Sequence, residues 1–102
     1  MSVATTTETL TETLRLHKLW IEDDPRGRRV VAHQGAFGGG HLSNADLSFA
    51  DLTNADLSDA NLPGAELTGA NLSRANLSDA NLSGANLSGV ILDGATLQNT
   101  RF

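Results

Sequence analysis

A chain of 102 residues has room for one small domain, near the size at which a single core becomes marginal. Apolar residues make up 39% of it and aromatics only 4%, so its core must be narrow and uniform, filled by Leu and Ala. The absence of cysteine excludes disulfide staples and thiolate metal sites. The net charge of −5 argues against phosphate-driven binding of nucleic acid, which needs Lys and Arg to release counterions.

The charge is unevenly placed. Residues 1–34 balance five acids (Glu8, Glu12, Glu22, Asp23, Asp24) against five bases (Arg15, Lys18, Arg26, Arg28, Arg29). Residues 35–102 set seven acids against Arg74 and Arg101 alone. A charged partner of this acidic part is expected to be a basic protein.

Met1 to Thr7 carry no basic group and no apolar segment, and read as a flexible tail without a secretion signal. No apolar run approaches membrane-spanning length. The expectation is a cytoplasmic protein that does not engage membranes. Residues 8–21 read as a short helix with Leu10, Leu14, His17 and Ile21 on one side, and Thr5 with Glu8 offers a capping box. Residues 14–16 also suit a short strand. Asp24-Pro25-Arg26-Gly27 is a turn by composition, and residues 30–32 suit a first, degenerate wall of the structure that follows. Gly38 to Gly40 give the chain freedom to settle into it.

Leucine then recurs at Leu42, Leu47, Leu52, Leu57, Leu62, Leu67, Leu72, Leu77, Leu82, Leu87, Leu92 and Leu97, with Phe37 and Phe102 in phase at either end. Two residues before each of these leucines from position 45 stands Ala, except for Val90. Asp or Asn mostly precedes the leucine and Ser or Thr mostly follows it. A period of five fits neither ordinary element. On an α-helix each step advances by ~140° net, so the leucines circle every face. On a straight strand an odd step alternates faces. The chain must therefore turn between leucines. Ala-x-Leu becomes a three-residue strand with both apolar side chains inward, and the next two residues form a corner. Asn44, Asn54, Asp59, Gly64, Gly69, Asp79, Gly84, Gly89 and Gly94 fill the second corner position, as tight turns require. A chain that turns the same way every five residues coils, and its coils stack through strand hydrogen bonds.

This unit, Ala-Asp/Asn-Leu-Ser/Thr-x, resembles the pentapeptide-repeat family over about two-thirds of the chain. The resemblance implies an all-β solenoid, a right-handed quadrilateral β-helix with four repeats per coil, here over residues 35–102. Residues 8–34 then form a helical cap and lead-in. The segment from Leu16 to Trp20 is similar to the lead-in of some bacterial and phage members. In this geometry Leu42, Leu62, Leu82 and Phe102 share one column and Phe37, Leu57, Leu77 and Leu97 another.

Catalytic readings find little support. The serines recur at one repeat position, which wall polarity explains, and no Gly-x-Ser-x-Gly elbow is present. His17, His33 and His41 match no compact metal-ligand spacing. The glycine run lacks the Lys and following helix of a phosphate loop. The expectation is a protein without catalytic activity or cofactor. Asp46, Asp51, Asp56, Asp59, Glu66 and Asp79 form an acidic surface, with Glu66 above Asp46 and Asp79 above Asp59. Phe49 and Ile91 are outward apolar residues, and with Leu97 and Phe102 they are the candidate interface. Unpaired strand edges recruit partners, so the coil around Phe102 is expected to pair two copies. The expected role is a structural or protein–protein interaction module. The family suggests an alternative, imitation of DNA toward a type II topoisomerase such as gyrase.

Overall fold

The computed structural model describes residues 7–31 and 40–102, with side chains from residue 11 onward in the first of these segments. The proposed capping box of Thr5 and Glu8, the side chain of Leu10, the expected wall residue Ala32, His33, Phe37, Gly38 and Gly39 lie outside the described residues.

Helix α1 spans Thr7–Ile21, beginning one residue before the expected start and excluding a strand at residues 14–16. Glu12 and Arg15 pair across one turn at 2.6 Å, and Lys18 lies in the last turn, where the helix dipole favours a cation. The end is a Schellman motif. The Asp24 amide donates to the Leu19 carbonyl at 2.9 Å and the Asp23 amide to Trp20 at 3.0 Å. Asp23 takes the left-handed position with φ 62°.

The next residues fold straight back. Asp24 Oδ1 accepts the Arg26 amide at 2.8 Å, and the Arg28 amide donates to the Leu16 carbonyl at 2.8 Å. Gly27 passes directly against the Trp20 backbone, where a β-carbon has no room. A glycine is required there by contact rather than by torsion.

From Val31 onward the chain is held by parallel bridges that each join a residue to the one twenty positions later: Val31 to Asp51, His41 to Asn61, Asp46 to Glu66, and so on to Asn81 with Arg101. One coil is therefore four pentapeptides, giving four bridged rows. The walls are shorter than expected. Each is a single bridging residue rather than a three-residue strand, because the flanking Leu and Ala are the first and last residues of the corner turns.

Those turns are uniform. Ala, Val or Thr at the end of each turn donates to the preceding Leu carbonyl at 2.9–3.2 Å, from Ala45 to Thr100. The second corner residue has positive φ in every repeat from Asn44 (59°) to Asn99 (59°). A bonded turn with positive φ only at its third residue is type II, for which Pro63-Gly64 is the preferred pair.

One repeat satisfies all its amides. Asn71 donates to the Ala50 carbonyl, Leu72 to Ile91, Arg74 to Asp93, and Ala75 to Leu72, at 2.7–3.0 Å. The remaining amide, Ser73, donates to Asn71 Oδ1 at 3.0 Å. Buried amides rarely go unpaired, so the Asx residue at one position and the turn two residues later depend on each other. Where Pro63 stands there is no amide to satisfy.

Inside, Leu42 to Leu82 and Ala45 to Ala80 form one continuous buried cluster that also takes in Val30. Each buried Leu contributes about 1.5–3 kcal/mol relative to exposure.

Candidate interaction surface

The acidic residues fall where the twenty-residue offset puts them, but their environment differs from a freely solvated face. Asp46 bridges Glu66, and Asp51 stands between Val31 and Asn71 in one row. Asp46, Asp51 and Glu66 are half-buried, whereas Asp56, Asp59 and Asp79 are exposed. Asp59 and Asp79 both occupy left-handed corner positions, and the Asp59 amide reaches the Ser78 carbonyl of the next coil at 2.9 Å.

Three of the acids are built into corners. Asp46 Oδ1 accepts from the Ser48 hydroxyl at 2.8 Å, Asp51 Oδ1 from Thr53 at 2.7 Å, and Asp56 Oδ1 from Ser58 at 2.6 Å. Asn71, Asn76 and Asn81 make the same contact with Ser73, Ser78 and Ser83 at 2.6 Å. The contact therefore does not require a charge, since an amide oxygen accepts in the same place. The hydroxyl and amide of Ser58 hold the Asp56 carboxyl below its ordinary range. The serines and threonines are partners in this contact rather than plain wall polarity. Ser48 is buried. The sequence carries the signal, an Asp or Asn two residues before each of these Ser or Thr residues.

The four apolar candidates are all exposed: Phe49 by 51%, Ile91 by 42%, Leu97 by 39% and Phe102 by 60%. They do not form one patch. Phe49 belongs to the first coil, where its ring lies over Gly69 of the coil above. Ile91, in the row of Asp51 and Asn71, belongs with Leu97 and Phe102 to the last coil.

At the other end α1 meets the first coil through His17. Its ring is fully buried, with Nε2 2.8 Å from the Ser48 carbonyl and Nδ1 accepting the Val30 amide at 2.9 Å. Trp20 stacks on the imidazole at 5.4 Å between centroids, and the Arg29 guanidinium lies 5.6 Å from the Trp20 ring. Arg29 Nε also donates to the Phe49 carbonyl at 2.7 Å. A histidine in phase with Leu14 on the apolar side of α1 was the only sign of this contact in the sequence. Among the described residues no group of three His, Asp or Glu side chains is arranged to hold a metal, and no helix is long and apolar enough to cross a membrane.

The repeats match the model of pentapeptide repeats in eight copies, over residues 41–79 and 70–102. No curated protein matches. Among solved structures, a pentapeptide repeat protein from the cyanobacterium Cyanothece 51142 is similar at 39% identity and a TM-score of 0.69, over 74% of this chain and 52% of that one. The chain thus spans about half the length of that relative. A pentapeptide repeat protein from Nostoc PCC 7120 is similar at 34% identity and a TM-score of 0.53, over 98% of this chain and 78% of that one. These relatives imply a right-handed β-helix solenoid. The repeat match over more than half of the sequence, with bridges every twenty residues, makes this chain a member of the pentapeptide-repeat family.

Proposed function

We propose that the chain is a non-catalytic contact module, a quadrilateral β-helix whose first coil is covered by α1 and whose last coil pairs with a second copy. The observation that carries this reading is the exposure of inward-column residues in that coil. Leu97 and Phe102 are 39% and 60% exposed, while Leu77 and Leu82, one coil earlier in the same columns, are 0% and 1% exposed. The backbone amides of Leu87, Gly89, Leu92, Gly94 and Leu97 have no acceptor among the described residues. Apolar columns and unused donors together are the two ingredients of edge pairing. A second copy brings the same apolar columns and the carbonyls of Ala85, Val90 and Ala95, whose counterparts Ala65, Ala70 and Ala75 one coil earlier accept amides from the coil above.

Imitation of DNA draws less support. Asp46, Asp51 and Asp56 have a carboxylate oxygen engaged in the corner contact, and their rows pass to neutral or longer side chains within a coil. Light scattering tests the proposal. The protein is expected at about twice the 10.7 kDa chain mass, and Phe102→Asp is expected at the mass of one chain. A monomer at high micromolar concentration contradicts it.

A further inference from the structure

Among the described residues, the polar contact between α1 and the first coil is made by one ionisable ring in one protonation state. The Val30 amide can donate to Nδ1 of His17 only while that nitrogen keeps its lone pair. The proton of the neutral ring must then sit on Nε2, which donates to the Ser48 carbonyl. In the repeats above, carbonyls at this corner position receive an amide from the coil below, as Thr68 does from Phe49 at 2.8 Å. His17 supplies that donor for Ser48 from α1, and Leu14 packs beside it against the core.

We propose that His17 is a proton-operated latch: protonation of Nδ1 removes the acceptor of the Val30 amide, detaches α1, and uncovers the lower edge of the first coil.

The surroundings suit such a latch. Burial holds the imidazole below its ordinary value, and the nearby Arg29 cation acts in the same direction. The Ser48 carbonyl and Asp46 oppose this but do not outweigh it. Arg29 from the returning segment and Asp46 from the first coil are the charged groups that face the ring among the described residues. The sign follows from linkage. Detached α1 binds the proton more readily than docked α1, so docking is at full strength above about pH 6.5 and weakens as pH falls below it. Two acids with lowered values stay ionised through this range. Arg26 holds Asp24 down to about 2, and Ser58 holds Asp56 below its ordinary range.

Hydrogen exchange on the whole chain tests the latch, with the single Trp20 as an optical reporter. Corrected for intrinsic rates, exchange of the α1 amides should rise by up to about tenfold for each pH unit below 6.5. The Leu62, Leu67 and Leu72 amides should stay protected, and Trp20 emission should change over the same range. His17→Gln offers a neutral amide donor and acceptor in place of the ring, so its α1 should stay protected at about pH 5. Unchanged α1 protection in the wild type at about pH 5 overturns the proposal. So does an equal loss in His17→Gln, or a loss shared by the coil amides. If His17→Gln fails to dock at neutral pH, the imidazole nitrogen shifts of the wild type decide. Titration of His17 in step with α1 release supports the latch, and titration with α1 still protected overturns it.

Discussion

Leu72 and Ser73 are adjacent, yet their side chains do opposite work. Leu72 is 0% exposed between Leu52 and Leu92, whereas Ser73 points outward and donates its hydroxyl to Asn71. Leu72→Asp forces a carboxylate into a column that offers it no partner, and is expected to cost at least ~4 kcal/mol and prevent folding. Ser73→Ala keeps the amide bond to Asn71 and loses only the hydroxyl, at about 0.5–1 kcal/mol. Thermal unfolding separates the two, and equal melting temperatures contradict the inward and outward assignment. Asp56 gives a sharper test of what the acids do. Asn76 makes the Asp56 contact one coil higher without charge. Asp56→Asn should therefore leave the melting temperature nearly unchanged at neutral pH, while Asp56→Ala lowers it by orphaning the Ser58 amide. The carboxyl of Asp56 is held low in the folded protein, so its contribution is present above the ordinary carboxylate range and is lost as pH falls through the folded value. Wild type should lose more stability than Asp56→Asn below about pH 4, and parallel pH profiles for the two contradict the contact.

At the scale of the element, the type II corner sets the cost of each substitution. Gly84 has φ 70° and only ordinary contact with Gly64 below it. Gly84→Ala should cost about 1 kcal/mol, the penalty of a β-carbon in the left-handed region. Gly69, at φ 68°, adds a second problem, because a β-carbon there lies 2.6 Å from the Phe49 ring. Gly69→Ala should therefore cost more than Gly84→Ala, and the excess should vanish in a Phe49→Ala background. Denaturant unfolding of these variants and their parent proteins checks this, and an excess that survives without Phe49 contradicts the stacking. Much at this scale was legible in the sequence, because steric rules at the corner leave few residues to choose from. The leucine period marked the turns, and Gly, Asn and Asp marked their left-handed positions. The length of the walls was not legible. Ala-x-Leu reads equally well as a strand of three or as one bridging residue between two turns, and only the turn hydrogen bonds distinguish them. The seat of Phe49 over Gly69 depends on which residues lie twenty apart, a number that the five-residue period alone leaves open.

Across the whole molecule, order comes from stacking. Among the described residues, the inner coils spend their amides on the coils on either side, on their own turns and on Asx side chains, whereas several amides of the last coil have no acceptor. His17 occupies one end with a side chain from α1, a use of histidine that its phase with Leu14 marks only as belonging to the apolar side. At the other end Ile91, Leu97 and Phe102 stay exposed over a row of unused amides. If that row pairs with a second copy, its protection must depend on protein concentration, as no intramolecular contact does. Hydrogen exchange of the Leu87, Leu92 and Leu97 amides, followed from low to high micromolar concentration, measures this directly. Slower exchange with rising concentration in the wild type, absent from Phe102→Asp, is the expected result. Exchange at these amides that does not vary with concentration contradicts pairing through the last coil.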